Sequence, residues 1–175
     1  MRHLWYVSLL ALVVAFVAPP RAQAQAPFDI RVASSFTVGD GTAEITAFDP
    51  GSARLFYVNP DTDALGVLDL SDPTNPTELS SIDLSEFGSP NSVDVAGGLV
   101  AVAIEADDPE ANGSVVFFNR DGVFIDQVTV GVLPDAIAFN GNGRVLVVAV
   151  HIEVVAVGRL RLVGDHEYAA VAVER

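Results

Sequence analysis

Short apolar runs separated by polar turns recur along this chain in a fixed layout. Four such runs follow one another from Pro90 to Gly131, and the same layout lies over Ala43–Leu84 and begins again at Pro134. The first run of each copy is short and apolar at alternate positions: Ile45-Thr46-Ala47-Phe48, Val93-Asp94-Val95 and Ile137-Ala138-Phe139. A turn follows in each, Asp49-Pro50-Gly51-Ser52, Ala96-Gly97-Gly98 and Asn140-Gly141-Asn142-Gly143, supplying the residues that tight hairpins need. The second run is the most apolar, at Leu55–Val58, Leu99–Ile104 and Val145–Ala149, and continuous runs of that length fit strands buried on both faces. A third run, Gly66–Leu70 or Ser114–Phe118, and a fourth, Leu79–Leu84 or Val123–Val130, complete the unit.

Four strands repeated every ~46 residues is the pattern of a β-propeller blade. The chain is therefore expected to be all-β, a partial β-propeller. Two four-stranded blades fall at about 43–84 and 90–131, and an incomplete third runs from 134 to 149 and onward, within a propeller region of 25–149. Phe28–Val38 also alternates and predicts an N-terminal closing strand, of the kind that seals a ring built from both chain ends. Closed propellers have about 4–8 blades, so this ring is not expected to close on itself.

The two ends differ from the repeat. Residues 1–24 read as a signal peptide: Arg2 and His3, an apolar stretch from Leu4 to Ala18, then Ala22-Gln23-Ala24 before a cut. That stretch is shorter than the ~20 residues a bilayer span needs, so no membrane span is expected after cleavage. The expected location is secreted, periplasmic or on a bacterial cell surface. Residues 150–175 form an atypical tail, because from Val145 onward there is no Ser, Thr, Asn, Gln, Pro or Phe. The tail reads either as the product of a frameshift or truncation, or as a genuine hairpin of Ile152–Val157, Leu160–Val163 and Tyr168–Val173.

Composition narrows the chemistry. The 175 residues carry a net charge of −14, and losing Arg2 and Arg21 with the leader makes the mature chain more acidic still. Such a surface repels nucleic acid. With no cysteine and no lysine, thiolate nucleophiles, disulfides and Schiff-base chemistry are excluded. Histidine is absent between Leu4 and Val150, so a Ser-His-Asp triad would need His151 or His166 from the tail. His151 and Glu153, two apart, would form half a metal site at most.

Carboxylates are the abundant reactive groups. Asn59, Asp61 and Asp63 make an oxygen-rich loop reminiscent of a calcium loop without its later bidentate glutamate, and Asp107, Asp108 and Glu110 make a second. Calcium is the one cofactor these candidates suggest; solvated turns are the competing reading. Asn112-Gly113-Ser114 fits the glycosylation pattern.

Several strings together resemble the bacterial choice-of-anchor I domain: Leu65-Gly-Val-Leu-Asp-Leu-Ser-Asp-Pro-Thr-Asn-Pro-Thr77, Ser89-Pro-Asn-Ser-Val93, Gly98-Leu-Val-Ala-Val-Ala-Ile-Glu105, Val115-Val-Phe-Phe118 and Leu133-Pro-Asp135. The resemblance covers about 28–149. It implies a secreted, propeller-like surface protein held by varied C-terminal anchors, with relatives described as esterase-like or alkaline-phosphatase-like, and it brings no catalytic residues with it. The preferred expectation is a non-enzymatic secreted or cell-surface module that binds an extracellular ligand or partner through its loops. The alternative is an N-terminal fragment of a larger extracellular phosphoester hydrolase or esterase-like protein. Self-association through exposed blade edges is a third expectation, with Val145–Val148 left wet and the region after Gly131 open to proteases.

Overall fold

The computed structural model describes residues 30–151, 153–157, 161–162 and 166–167. The signal peptide expected at 1–24 lies outside these residues, as does most of the tail. Val32 onward forms one compact unit.

The first blade is an antiparallel sheet in chain order: β1 (Thr46–Asp49), β2 (Arg54–Asn59), β3 (Ala64–Asp69) and β4 (Thr77–Asp83). The second repeats it with β5 (Ser89–Ala96), β6 (Leu99–Glu105), β7 (Asn112–Asn119) and β8 (Phe124–Val132). A third sheet holds β9 (Ala136–Phe139), β10 (Leu146–Val150) and β11 (Glu153–Val157), and β12 (Arg161–Leu162) pairs with β13 (His166–Glu167). The fold is thus all-β, built of open four-stranded blades. β5 packs between β1 and β9, so the innermost strands of successive blades line up around one axis.

Period-two alternation explains why the second runs are apolar throughout. In β6, Val100, Val102 and Ile104 enter the core shared with the first blade, while Leu99, Ala101 and Ala103 enter the core shared with the third. β7 divides in the same way, Val116 and Phe118 to one side and Val115 and Phe117 to the other. A strand with a blade on each side has no wet face, so no polar residue interrupts it. Each blade thus has a leading face toward its predecessor and a trailing face toward its successor.

The two outermost faces depart from expectation. Residues 30–38, expected as part of a closing strand, make no ladder. From Val32 on, the alternation reflects a segment lying across a surface: Phe36 and Val38 are half-buried beside Leu55, Tyr57 and Leu68 on the first blade's leading face. On the third blade Leu146 and Val148 are buried against β6 and β7, so the expected exposure of the whole run Val145–Val148 narrows to Val147, at 38%.

Candidate functional site

The oxygen-rich loops read as cation ligands are engaged in local structure. Asn59 is buried at the end of β2, where its Oδ1 accepts from the Thr42 amide at 3.3 Å and its Nδ2 donates to the Asp40 carbonyl at 2.8 Å. Asp61 accepts from the Thr42 hydroxyl at 2.6 Å. Asp63 closes the 3-10 turn Pro60–Thr62 in a left-handed conformation, φ 46°. Two of the three side chains thus hold the 40–42 turn. Asp107, Asp108 and Glu110 are exposed in the β6–β7 loop, and Asp108 accepts from the Glu110 amide at 3.0 Å. Among the described residues there is no group of three or more His, Cys, Asp or Glu that could hold a metal ion. His151 lies in the turn between β10 and β11, and the Glu153 side chain is outside the described residues.

Those loops share one end of the array with the entries to the inner strands. The Glu44 amide donates to the Val58 carbonyl at 3.2 Å and the Asp135 amide to the Ala149 carbonyl at 3.0 Å, which places the two acids at matching positions of the first and third blades. In the second blade the matching residue is Asn91, the extra residue of a bulge where pairing shifts between Pro90 and Ser92. A bulge re-aims a side chain. Asn91 uses it to donate to Glu105 at 3.2 Å and to the Pro134 carbonyl at 3.5 Å, joining the second blade to the start of the third.

The opposite end carries a cleft that no single repeat contains. The inner hairpin turns of all three blades, Asp49–Gly51, Asp94–Gly97 and Phe139–Gly143, meet there with Arg120 around about 600 Å³. Its acids are already satisfied. Asp49, 4% exposed, accepts from the Gly51 amide at 3.2 Å and the Ser52 hydroxyl at 2.7 Å. Asp94 accepts from the Val95 amide at 2.8 Å and, across the blade boundary, from the Phe139 amide at 2.6 Å.

The donors are held in place from behind. Arg54 donates to the Arg120 carbonyl and pairs with Asp121 at 2.7 Å, while Arg120 Nε lies 4.0 Å from Asp49. Since Asp49 and Arg54 are cross-strand partners and Arg120 and Asp121 are consecutive, these contacts form a crossed clasp between the first two blades. The guanidinium of Arg120 lies over Gly98, at φ 83°, where a Cβ would strike it. Asn140 and Asn142 spend their oxygens on the amides of Arg144 and Val145, which leaves their NH₂ donors for a ligand. The cleft is therefore lined by a guanidinium, two side-chain amides, glycine backbone and Phe139. Sequence reading passed over it because its parts sit in three turns that each look like ordinary hairpin chemistry; the one signal was that all three turns recur at the same point of the repeat.

Other titrating groups serve structure. Burial pushes the Tyr57 phenol up, and the Glu78 carboxylate beside it adds to the effect. Asp69 is held below the usual carboxylate range chiefly by the Ser71 amide, Asp72 by the Thr74 hydroxyl and amide, and Asp83 by the Ser85 hydroxyl and amide. In each, the acid sits two residues before a Ser or Thr and caps its own turn.

Among solved structures, the chain resembles hydrazine synthase of Kuenenia stuttgartiensis, with a TM-score of 0.55 and 17% identity, over 66% of this chain and 34% of that one. It also resembles a functionally unknown protein from Desulfotomaculum acetoxidans, with a TM-score of 0.52 and 22% identity, over 67% of this chain and 40% of that one. These likenesses show the fold, and the chain spans well under half of either structure. No curated protein matches it. Among the described residues no helix is long and apolar enough to cross a membrane. The choice-of-anchor I domain model matches residues 44–156, from the entry to β1 through nearly all of β11, and so this surface-associated β domain belongs to the choice-of-anchor I domain family.

Proposed function

We propose that this chain is a non-enzymatic module, secreted, periplasmic or at the bacterial cell surface, that binds a small polar ligand at the inner-turn cleft. The observation that supports this is the convergence of three blades' turns on one cleft of about 600 Å³, within the size range of small-molecule sites. Its acids are consumed internally and its lining includes the amide donors of Asn140 and Asn142, so a hydroxyl- or carbonyl-rich molecule matches it better than a cation does.

The test is an amide-resolved NMR titration of the mature chain with a panel of monosaccharides and short peptides. Shifts confined to Gly97, Gly98, Gly141 and Gly143, and abolished by Arg120→Ala, support the reading. Saturation with no shift at these amides, or shifts elsewhere, defeats it. A second reading is that the chain is the N-terminal part of a larger extracellular phosphoester hydrolase or esterase-like protein, favoured by its spanning only 34% and 40% of the structures it resembles. Turnover of p-nitrophenyl phosphate or acetate by a longer gene product, and not by this chain, would favour that reading.

A further inference from the structure

Both boundaries between the described blades are made the same way: the trailing face of one blade meets the leading face of the next. Two faces meet no described blade. The third blade's trailing face is bare at Val147, Ala138 and Ala136. On the first blade's leading face, by contrast, Tyr57 and Leu68 are each only 5% exposed although no described blade sits there. What covers them is the chain's own N-terminal segment, with Phe36 and Val38 facing Leu55, Tyr57 and Leu68 across a cleft of about 430 Å³. Gly66 lets the Tyr57 ring lie flat in that face, since a Cβ there would collide with the ring.

The cover is lightly attached. Residues 32–38 form no ladder with any described strand, and Ser34 Oγ donating to the Pro73 carbonyl at 2.7 Å is the side-chain hydrogen bond that ties them down. The cleft beneath them shows that the fit is looser than between true blades, whose largest side chains are fully buried. A segment that lies on a face without a ladder leaves far more easily than a strand in a sheet.

We propose that residues 32–38 are a strap that stands in for a neighbouring blade and keeps the first blade's leading face from docking on the third blade of a second copy. The contact so blocked is heterologous, leading face to trailing face, and continues the packing seen at both internal boundaries. Released, it joins chains head to tail through their blade faces, whereas pairing at sheet edges would use backbone hydrogen bonds.

Light scattering on the mature chain and two variants tests this. Phe36→Asp lies outside every strand and should release the strap while leaving the blades folded, as circular dichroism would confirm. It is expected to raise the association constant about tenfold or more. Adding Val147→Asp, on the bare face of the third blade, should return the mass to that of wild type. The milder Phe36→Ser should shift in the same direction if the aspartate perturbs folding. Unchanged mass in both Phe36 variants overturns the proposal, as does association that Val147→Asp fails to reverse, or a wild-type chain already associated as strongly as the variants.

Discussion

The two internal boundaries are built from the same faces and hold by different means. Between the first and second blades, large side chains do the work: Phe56, Leu65 and Leu84 are fully buried against Val100, Val102 and Ile104. Phe87 stacks on Phe124 at 5.7 Å near the outer part of that boundary, and the crossed Arg54–Asp121 and Arg120–Asp49 contacts clasp its inner end. Between the second and third, β6 contributes only Leu99 and the small Ala101 and Ala103. Side chains of β5 then accept from backbone amides of β9: Asp94 from the Phe139 amide at 2.6 Å and Ser92 from the Ile137 amide at 3.4 Å. The first boundary joins large buried side chains to a clasp of charged groups, the second joins smaller β6 side chains to hydrogen bonds from β9 amides.

Cutting one large side chain from each boundary would separate them most sharply. Phe56→Ala and Leu146→Ala should each cost roughly 2–5 kcal/mol, since both side chains are almost wholly buried. Their reach should differ. Phe56 lies between two complete blades, so its loss should raise hydrogen exchange through β1–β8. Leu146 belongs to a sheet with one described neighbour, so its loss should free β9–β11 and leave the first two blades protected. Equal loss of protection throughout after Leu146→Ala would mean the blades unfold as one unit.

Asp94→Ala comes next. It removes a charged acceptor from the Phe139 amide and should cost about 2 kcal/mol, read as a fall in the denaturation midpoint. Asp94→Asn, which keeps an acceptor oxygen, should recover part of the loss. If Asp94→Ala were neutral, the third blade would be held by apolar area alone.

Asp94 also marks the limit of what the sequence could tell. In the chain it is a polar interruption of an apolar run, and only the register shows that it crosses to β9. The blades themselves were legible because burial on both faces leaves a continuous apolar run, and because turns fall at a fixed phase of the repeat. The cleft was not, because Asp49, Arg120 and Asn142 are brought together by the packing of blades and by nothing local. Asn59 and Asp61 looked like ligand oxygens, since a side chain that holds a turn and one that holds an ion are the same residue types. Alternation at 32–38 looked like a strand because period two reports two environments, one apolar and one wet, and a strap lying on a sheet meets both.

Opening the clasp should matter less than losing Asp94. Arg54 is partly exposed and Asp121 largely so, and ion pairs of that kind contribute about 1 kcal/mol or less. Arg54→Ala should therefore lower the midpoint slightly, and by less still in high salt. Its more telling effect should be on the cleft, because Arg54 also holds the Arg120 carbonyl.

The smallest expected effect lies outside both boundaries and tests whether the acid response is local. Asp72 and Asp83 are exposed and Asp69 is half-buried, and all three have their carboxyl values lowered by hydrogen bonds from Ser71, Thr74 and Ser85. A carboxyl that ionises more readily folded than unfolded stabilises the fold above its unfolded value, about 3.9 for aspartate. That contribution is lost as pH falls through the lower folded value. All three lie in or just after the first blade's outer strands, so acid should loosen β3 and β4 before it affects the boundary with the second blade. Asp83→Asn keeps an acceptor for the Ser85 amide and removes the charge. It should flatten the dependence of the melting temperature on pH below about 4 and leave the neutral value nearly unchanged. A slope as steep as wild type would place the acid response outside these three turns.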